Sequence, residues 1–315
     1  MNYDKKLLSK QAQELGFVRD TFEKMLRLAT ILKHISGDPK LSSSLVLKGG
    51  TAINLTIFDL PRLSVDIDLD YTINNSKEEM MKERAEITAI LERYMAAGQY
   101  ELSKKSKSTH SLDSFVYVYL NSGGMKDNIK IEINYSLRSH ILPFESKPIE
   151  TIGIFSKTNV LSVAPIEIFG SKIVALLTRT KARDLYDIYN MITYNLFNNT
   201  ETELLRKCAI FYYTIASDDE SYSFDINRIY SLTKHKIRTD LQPVLRKKVR
   251  FELVTAQRCV DEYLAKLLVL DEEEKKYLDA FKNNIYKPEL LFKDSKILTR
   301  LSNHPMALWK ANQKT

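Results

Sequence analysis

Three aspartates at alternate positions, Asp66, Asp68 and Asp70, are the residues whose type and spacing most clearly suggest chemistry. They stand in the run VDIDLDY, which predicts a β-strand, and residues two apart in a strand point to the same face. Carboxylate oxygens arranged in this way are suitable ligands for Mg²⁺ or Mn²⁺. A solvated edge strand is the alternative interpretation of this pattern taken alone.

An adjacent pair of glycines lies shortly upstream, in a chain that contains only 9 glycines. Gly49 and Gly50 follow the predicted strand Leu45–Lys48 and open a predicted helix, Thr51–Phe58. Glycines allow main-chain N–H groups to approach a phosphate, and a helix N-terminus attracts negative charge. Thr51 could contact that phosphate or simply cap the helix. A phosphate-binding turn beside a metal-binding carboxylate pair is what nucleotidyl transfer requires.

Two segments, KGGTAINL from Lys48 and RLSVDIDL from Arg62, resemble the first motif of the abortive-infection nucleotidyltransferase toxins of the AbiEii/AbiGii type. That family includes the MenT-like toxins and belongs to the DNA polymerase β-like nucleotidyltransferase superfamily. The resemblance implies that Asp66 and Asp68 hold the metal ions and that Asp70 lies toward the solvent. It also implies a set of residues that cradle the triphosphate: Gly49, Gly50, Thr51 and Ser64.

A lone lysine, Lys172, lies in the apolar run PIEIFGSKIVALLTR, which predicts a helix opening at Pro165. Such a lysine either extends its ammonium to solvent or neutralises an anion. Together with the later segment ARDLYDI, this run resembles further motifs of the same toxin family. The resemblance implies that Lys172 contacts nucleotide phosphates and that an aspartate of the next helix is required for activity. Both Asp184 and Asp187 fit; we favour Asp187, because an acid at a helix start is expected as a cap.

Four further charged residues are candidates for the site. Glu132, on the predicted strand Asn128–Ser136, could supply a third metal-binding carboxylate or could be an ordinary outward-facing residue. Arg62, Arg179 and Arg183 are possible contacts for the acceptor or an RNA. Arg62 could position a substrate phosphate or pair with a nearby carboxylate. Arg179 and Arg183 could extend a phosphate-binding surface or be ordinary solvated cations.

Composition indicates an ordinary water-soluble globular protein of 315 residues, with 44% hydrophobic residues and a mean hydropathy of −0.28. No apolar run has the length of a membrane span, and the N-terminal residues lack the apolar core of a signal peptide. The two cysteines, Cys208 and Cys259, lack metal-ligand spacing and suit a reducing compartment, so we expect a cytoplasmic protein.

The net charge of +7 permits a nucleic-acid partner without requiring one. Between Ser221 and Arg250 the chain carries eight Lys and Arg residues against two acids. This basic segment is either a solvated surface or a contact for an RNA backbone.

We predict an α+β fold: a polymerase β-like mixed sheet with flanking helices, followed by a helical C-terminal domain. The proposed domains are residues 1–160 and 161–315, the second contributing Lys172 and Asp187 to the site. His140–Val163 is expected to be irregular or extended. The other predicted strands are Tyr100–Lys107 and Ser114–Asn121. The other predicted helices are 4–14, 17–36, Ser76–Gly98, 199–217, 224–232, 240–267 and 271–283.

The predicted reaction moves a nucleoside monophosphate from an NTP to an acceptor hydroxyl. The resemblance implies a toxin whose acceptor is the 3′ end of tRNA and which is opposed by an antitoxin encoded by a neighbouring gene. Two alternatives stay open: an antibiotic-type nucleotidyltransferase that modifies a small molecule, and a non-catalytic RNA-binding relative.

Overall fold

The computed structural model describes residues 3–149, 158–217 and 222–312, which form two compact units. None of the helices within those residues is long and apolar enough to cross a membrane. The first unit comprises Met1–Arg138, Phe144–Val163 and Pro243–Val249. The second unit comprises Ser139–Pro143, Ala164–Gln242 and Arg250–Thr315.

The first unit is built on a mixed eight-stranded sheet. Its helices are α1 (Lys5–Leu15), α2 (Arg19–Gly37), α3 (Pro39–Ser44), α4 (Gly49–Ala52), which continues as a π-helical turn (Ile53–Ile57), and α5 (Lys77–Ala97). Its strands are β1 (Leu45–Lys48), β2 (Asp66–Tyr71), β3 (Glu101–Leu102), β4 (Lys107–Ser108), β5 (Leu112–Leu120), β6 (Lys126–Asn134), β7 (Glu145–Ile149) and β8 (Thr158–Ser162). The order across the sheet is β3-β5-β6-β2-β1-β8-β7, and β4 also pairs with β5.

The acidic strand β2 lies at the centre of this sheet, not at its edge. It runs antiparallel to β1 and parallel to β6. Ile67 and Leu69 are buried on one face, as the alternating pattern predicts. The aspartates occupy the other face, and the paired strands on both sides fix their register.

Local signals in the sequence account for several element boundaries. Ser76 and Glu79 form the predicted capping box at the start of α5. Asp38 caps α3, which begins with Pro39 directly after α2 ends. These bonds satisfy the N–H groups that a helix start leaves unpaired.

One predicted strand of the sheet was wrong in detail, whereas the stretch expected to be irregular or extended does contain extended chain. Tyr100–Lys107 is not one strand, since only the two-residue strands β3 and β4 pair with β5 there. The stretch His140–Val163 contains β7 and β8, which pair antiparallel with each other, while its residues 150–157 lie outside the described residues. The sheet edge explains how β7 tolerates Pro148, which has no N–H to donate.

The second unit is helical among its described residues. It contains α6 (Pro165–Arg179), α7 (Ala182–Thr193), α8 (Asn199–Ala216), a 3₁₀ turn (Ile226–Ser231), α9 (Lys234–Lys236), a π-helical turn (Ile237–Leu241), α10 (Leu253–Leu267), α11 (Glu272–Lys282), α12 (Pro288–Leu291), α13 (Ser295–Leu301) and α14 (Pro305–Asn312). Helices α6 and α8 pack closely at Gly170, where an added Cβ would lie 2.5 Å from the Cβ of Cys208.

The predicted helix 240–267 was also wrong over residues 245–252. Residues 240–244 lie in the π-helical turn and a 3₁₀ turn (Gln242–Val244), and α10 begins only at Leu253. Residues Pro243–Val249, which we call the strap, belong to the first unit instead. Within the strap, Leu245 forms an antiparallel β-bridge with Arg62. Tertiary pairing therefore replaces the helix that the local composition favours.

Candidate active site

The Gly49–Gly50 turn packs directly against the acidic strand. Gly49 has φ +68°, a left-handed conformation that favours glycine. A Cβ at Gly49 would overlap Oδ2 of Asp68, and one at Gly50 would lie 2.8 Å from Nη2 of Arg62. Each glycine therefore has a different neighbour that a side chain would meet, and the Gly49 main chain lies close against the Asp68 carboxylate.

Strand pairing places the two predicted metal ligands next to this turn. Asp68 is the register partner of Lys48 on β1 and of Glu132 on β6, and Asp66 is the partner of Lys130. Asp66 and Asp68 are half-buried. The pair therefore stands on a rigid central strand with the Gly49 main chain alongside.

The expectation that Asp70 lies toward the solvent was wrong. Its side chain is only 1% exposed and accepts a hydrogen bond from Lys48 Nζ at 2.5 Å. The prediction was wrong because β2 is a central strand, so its last acid is covered by the fold. Lys48 accordingly serves as a partner for this buried carboxylate.

The hydroxyl groups of Thr51 and Ser64 hold the turn to the start of the acidic strand. Their oxygens lie 2.7 Å apart, and Thr51 Oγ1 also donates to the main-chain carbonyl of Asp66. Both residues are buried. Asn54 adds a third bond, donating from Nδ2 to the carbonyl of Gly50 at 2.7 Å. The hydroxyls of Thr51 and Ser64 are thus bonded within the protein.

Glu132 does not complete a three-carboxylate cluster. It shares a sheet face with Asp68, but its carboxylate forms an ion pair with Lys130 at 2.7 Å. Among the described residues, no group of three or more His, Cys, Asp and Glu side chains is arranged to hold a metal ion.

The donor set nevertheless fits a hard divalent cation. Two carboxylates on alternate residues of one strand, with the Gly49 main chain close to one of them, suit Mg²⁺ with the remaining ligands supplied by phosphates and water. Asp66 and Asp68 are the residues that would hold it.

Arg62 is placed differently from the expectation that it contacts the acceptor. It is 2% exposed, its Nη1 donates to the carbonyl of Leu63 at 3.1 Å, and its guanidinium lies against Gly50. It therefore stands behind the glycine turn rather than on an open surface.

In the second unit, Lys172 forms a buried ion-pair network on α6 and α7. Its side chain is 7% exposed, and its Nζ lies 2.9 Å from Asp184 Oδ1 and 3.3 Å from Asp187 Oδ2. The alternative that Lys172 extends to solvent was therefore wrong. The structure brings it together with both candidate aspartates, not with Asp187 alone.

Asp184 is not a helix cap. It accepts from Lys172 and also from Nε and Nη2 of Arg179, at 2.8 and 3.0 Å. Burial acts to raise the pKa of Asp184, but the charge of Lys172 and the contacts of Arg179 outweigh it and bring the pKa to about 2. Asp184 is therefore ionised at neutral pH and oriented by two cations.

The two remaining arginines have defined places on the same helices. Arg179 lies at the end of α6 and keeps 57% of its side chain exposed while it binds Asp184. Arg183 lies on α7 and donates from Nε to the carbonyl of Asp240 at 2.9 Å. Arg179 is thus available to a ligand, whereas Arg183 supports the turn that follows α9.

Sequence reasoning missed a further buried acid, Glu167 on α6. It accepts hydrogen bonds from Tyr212 and from the main-chain N–H groups of Ile141 and Leu142, and it lies 3.0 Å from Nδ1 of His140. Burial acts to raise the pKa of Glu167, but His140 and these donors lower it overall. The signal was an acid inside the apolar run PIEIF. Its contacts anchor Ser139–Pro143, which is a structural task.

One family of known proteins matches most of the chain. A profile of the nucleotidyl transferase AbiEii toxin family, a type IV toxin–antitoxin system, matches residues 30–283. Comparison with curated proteins finds no significant match.

Two solved structures share the fold. The chain is similar to MenT4, a nucleotidyltransferase toxin from Mycobacterium tuberculosis H37Rv, with a TM-score of 0.66, 15% identity and coverage of 98% of this chain and 99% of that one. It is also similar to JHP933 from Helicobacter pylori, with a TM-score of 0.50, 19% identity and coverage of 84% and 99%. The predicted mixed sheet with flanking helices and helical C-terminal region is confirmed. Since the family profile covers most of the chain, the protein belongs to the AbiEii nucleotidyltransferase toxin family.

Proposed function

We propose that the protein transfers a nucleoside monophosphate from an NTP to an acceptor hydroxyl, releasing pyrophosphate, with Asp66 and Asp68 as ligands for Mg²⁺ or Mn²⁺. The observation that carries this proposal is the close approach of the Gly49 main chain to Asp68. A triphosphate bound at the turn would thereby lie beside the two carboxylates that bind the metal. Bound there, a divalent ion would neutralise phosphate charge and lower the pKa of the attacking hydroxyl.

The residues of the turn have separate tasks in this proposal. Main-chain N–H groups from Gly49 onward bind phosphate oxygens, and their positions are fixed by the bonds of Thr51, Ser64 and Asn54. Groups held in place before the substrate arrives lower the cost of organising the transition state. Thr51 and Ser64 thus contribute to the triphosphate cradle by positioning it.

We further propose that Lys172 and Asp187 are required for the transfer. Lys172 would offset phosphate charge as it shifts toward the leaving pyrophosphate, and Asp187 would accept the proton of the acceptor hydroxyl or orient Lys172. Asp184 and Arg179 support this assignment by holding Lys172 through a shared carboxylate. That these groups join Asp66 and Asp68 in one site stays a prediction.

The proposed acceptor is the 3′ end of tRNA, in keeping with a toxin that acts in the cytoplasm and is opposed by a cognate antitoxin. A cluster of exposed basic side chains on and after α9 supports an RNA partner. The residues of this cluster are Lys234, His235, Lys236 and Arg238.

Labelled nucleotides test the reaction and its acceptor together. We would incubate the purified protein with Mg²⁺ and each α-³²P-labelled NTP, with tRNA in one arm and a panel of small hydroxyl compounds, including aminoglycosides, in another. We expect label on tRNA, and none on tRNA whose 3′-terminal diol has been destroyed by periodate. Label only on a small compound would establish the antibiotic-type alternative, and RNA binding without any transfer would establish the non-catalytic one.

Variants on one sheet face test the metal ligands. Asp66→Asn and Asp68→Asn should reduce labelling to background, because each removes a charged oxygen ligand without changing side-chain size. Glu132→Gln is the matched control on the neighbouring strand, and it should retain labelling within a few-fold. A Glu132→Gln variant as inactive as Asp66→Asn would contradict the two-carboxylate site.

A further inference from the structure

The strap ties down the loop that leads into the acidic strand. Leu245 forms a β-bridge with Arg62, and the N–H of Leu63 donates to the carbonyl of Val244 at 2.8 Å. The N–H of Lys247 donates to the carbonyl of Gly16 at 2.6 Å. Although the strap is distant in sequence, it thus holds the main chain around Arg62 through this bridge, of which the hydrogen bond from Leu63 to Val244 is part.

With its main chain fixed, Arg62 has little freedom in its side chain. Arg62 is 2% exposed, and its Nη1 donates to the carbonyl of Leu63. A Cβ added at Gly50 would lie 2.8 Å from its Nη2. Gly50 shows no left-handed φ, so its backbone does not demand glycine. The guanidinium of Arg62 is the neighbour that a side chain at this position would meet.

From these contacts we propose that Arg62 is a positioning residue for the Gly49–Gly50 turn and that the strap is the element that holds Arg62 in place. The inference deepens the proposed function and rests on it for its kinetic test alone. A planar cation packed behind the turn sets how far Gly50 can move away from Asp68. The same cation adds positive charge near the position proposed for the triphosphate.

A double-mutant cycle tests this proposal. Gly50→Ala adds a methyl group against an immobile guanidinium, and we expect the turn to shift and kcat/KM for the NTP to fall roughly 100-fold, the size of effect that a ~1 Å displacement causes. Arg62→Lys removes Nη2, so the double variant Gly50→Ala/Arg62→Lys should recover at least tenfold of that loss. The effect should lie in the KM for the NTP, while the KM for the acceptor changes little.

The control is a second glycine that also faces an arginine in the first unit. A Cβ at Gly123 would lie 2.6 Å from Nη2 of Arg19, but that arginine is 27% exposed and can move aside. Gly123→Ala should therefore leave the NTP KM unchanged. An equal rise of KM in Gly123→Ala, or a double variant that is no better than Gly50→Ala, would overturn the proposal.

Hydrogen exchange measures the same coupling without any reaction. Amides of residues 50–54 should exchange faster in Gly50→Ala and regain protection in Gly50→Ala/Arg62→Lys. If the wild-type protein transfers no nucleotide, the proposed function fails, while this exchange pattern still decides the role of Arg62. Unchanged exchange in both variants would refute the positioning role.

Discussion

Replacing Lys172 with methionine should destabilise the second unit strongly, whatever the part of Lys172 in the reaction. The change keeps the length and apolar stem of the side chain but removes the ammonium that Asp184 and Asp187 both contact. Removing one partner of a buried ion pair costs about 3–5 kcal/mol, because the remaining charge stays desolvated. Arg179 continues to bind Asp184, which places the expected loss at about 3 kcal/mol.

The pKa of Asp184 gives a separate measure of the same network. Its lowering from 3.8 to about 2 corresponds to about 2 kcal/mol of stability. Since the folded-state pKa lies below the unfolded one, this contribution is present above pH 4 and is lost as the pH falls toward 2. Without Lys172, burial should raise the pKa of Asp184 above its wild-type value, so a lower pH should reduce the destabilisation of the variant.

Urea unfolding at pH 7 and pH 5 checks both expectations. The free energy of unfolding of Lys172→Met should be about 3 kcal/mol below wild type at pH 7, and the gap should narrow at pH 5. Arg179→Met is the matched control: the side chain of Arg179 is 57% exposed, so the expected cost is at most about 1 kcal/mol. A free energy of unfolding of Lys172→Met within about 1 kcal/mol of the wild-type value would refute this account of the network. A difference in that free energy that does not change with pH would refute it as well.

Two further substitutions test packing and charge. Gly170→Ala should cost about 1–3 kcal/mol in a thermal melt, since the new Cβ meets the Cβ of Cys208, and Cys208→Ala should give no rescue because that Cβ remains. Asp70→Asn should cost about 1–3 kcal/mol by weakening the bond to Lys48, yet retain nucleotidyl transfer below its melting temperature. Loss of transfer by folded Asp70→Asn would make Asp70 part of the metal site.

Much of the fold could be predicted because its signals are local. The strand Leu45–Lys48 was predicted with the bounds that the structure shows, and alternation identified β2. The capping residue Ser76 and the helix-opening Pro165 fixed two helix starts. Each of these signals depends on neighbours a few residues apart, which a single sequence displays directly.

The errors arise where a partner distant in sequence decides the outcome. Asp70 looks like its neighbours Asp66 and Asp68, but only the position of β2 within the sheet shows that it is covered. The sequence indicated that Lys172 could neutralise an anion. Its ion pairs with both Asp184 and Asp187 depend on how α6 and α7 pack. The competing placements of Asp70 and the competing partners of Lys172 do not differ in charge, spacing or hydrophobicity. The sequence pattern therefore could not decide between them.

The strap is the clearest case of a partner that is distant in sequence, and it changes how the glycine motif is understood. A motif of two glycines followed by two aspartates appears complete in itself, since its parts lie between residues 49 and 68. Yet Gly50 must be small because of Arg62, and the main chain of Arg62 is fixed by Val244 and Leu245. Changes in the strap should therefore act on nucleotide binding even though the strap carries none of the motif residues. The geometry of the turn is a property of the whole first unit, including the part of it that the chain supplies last.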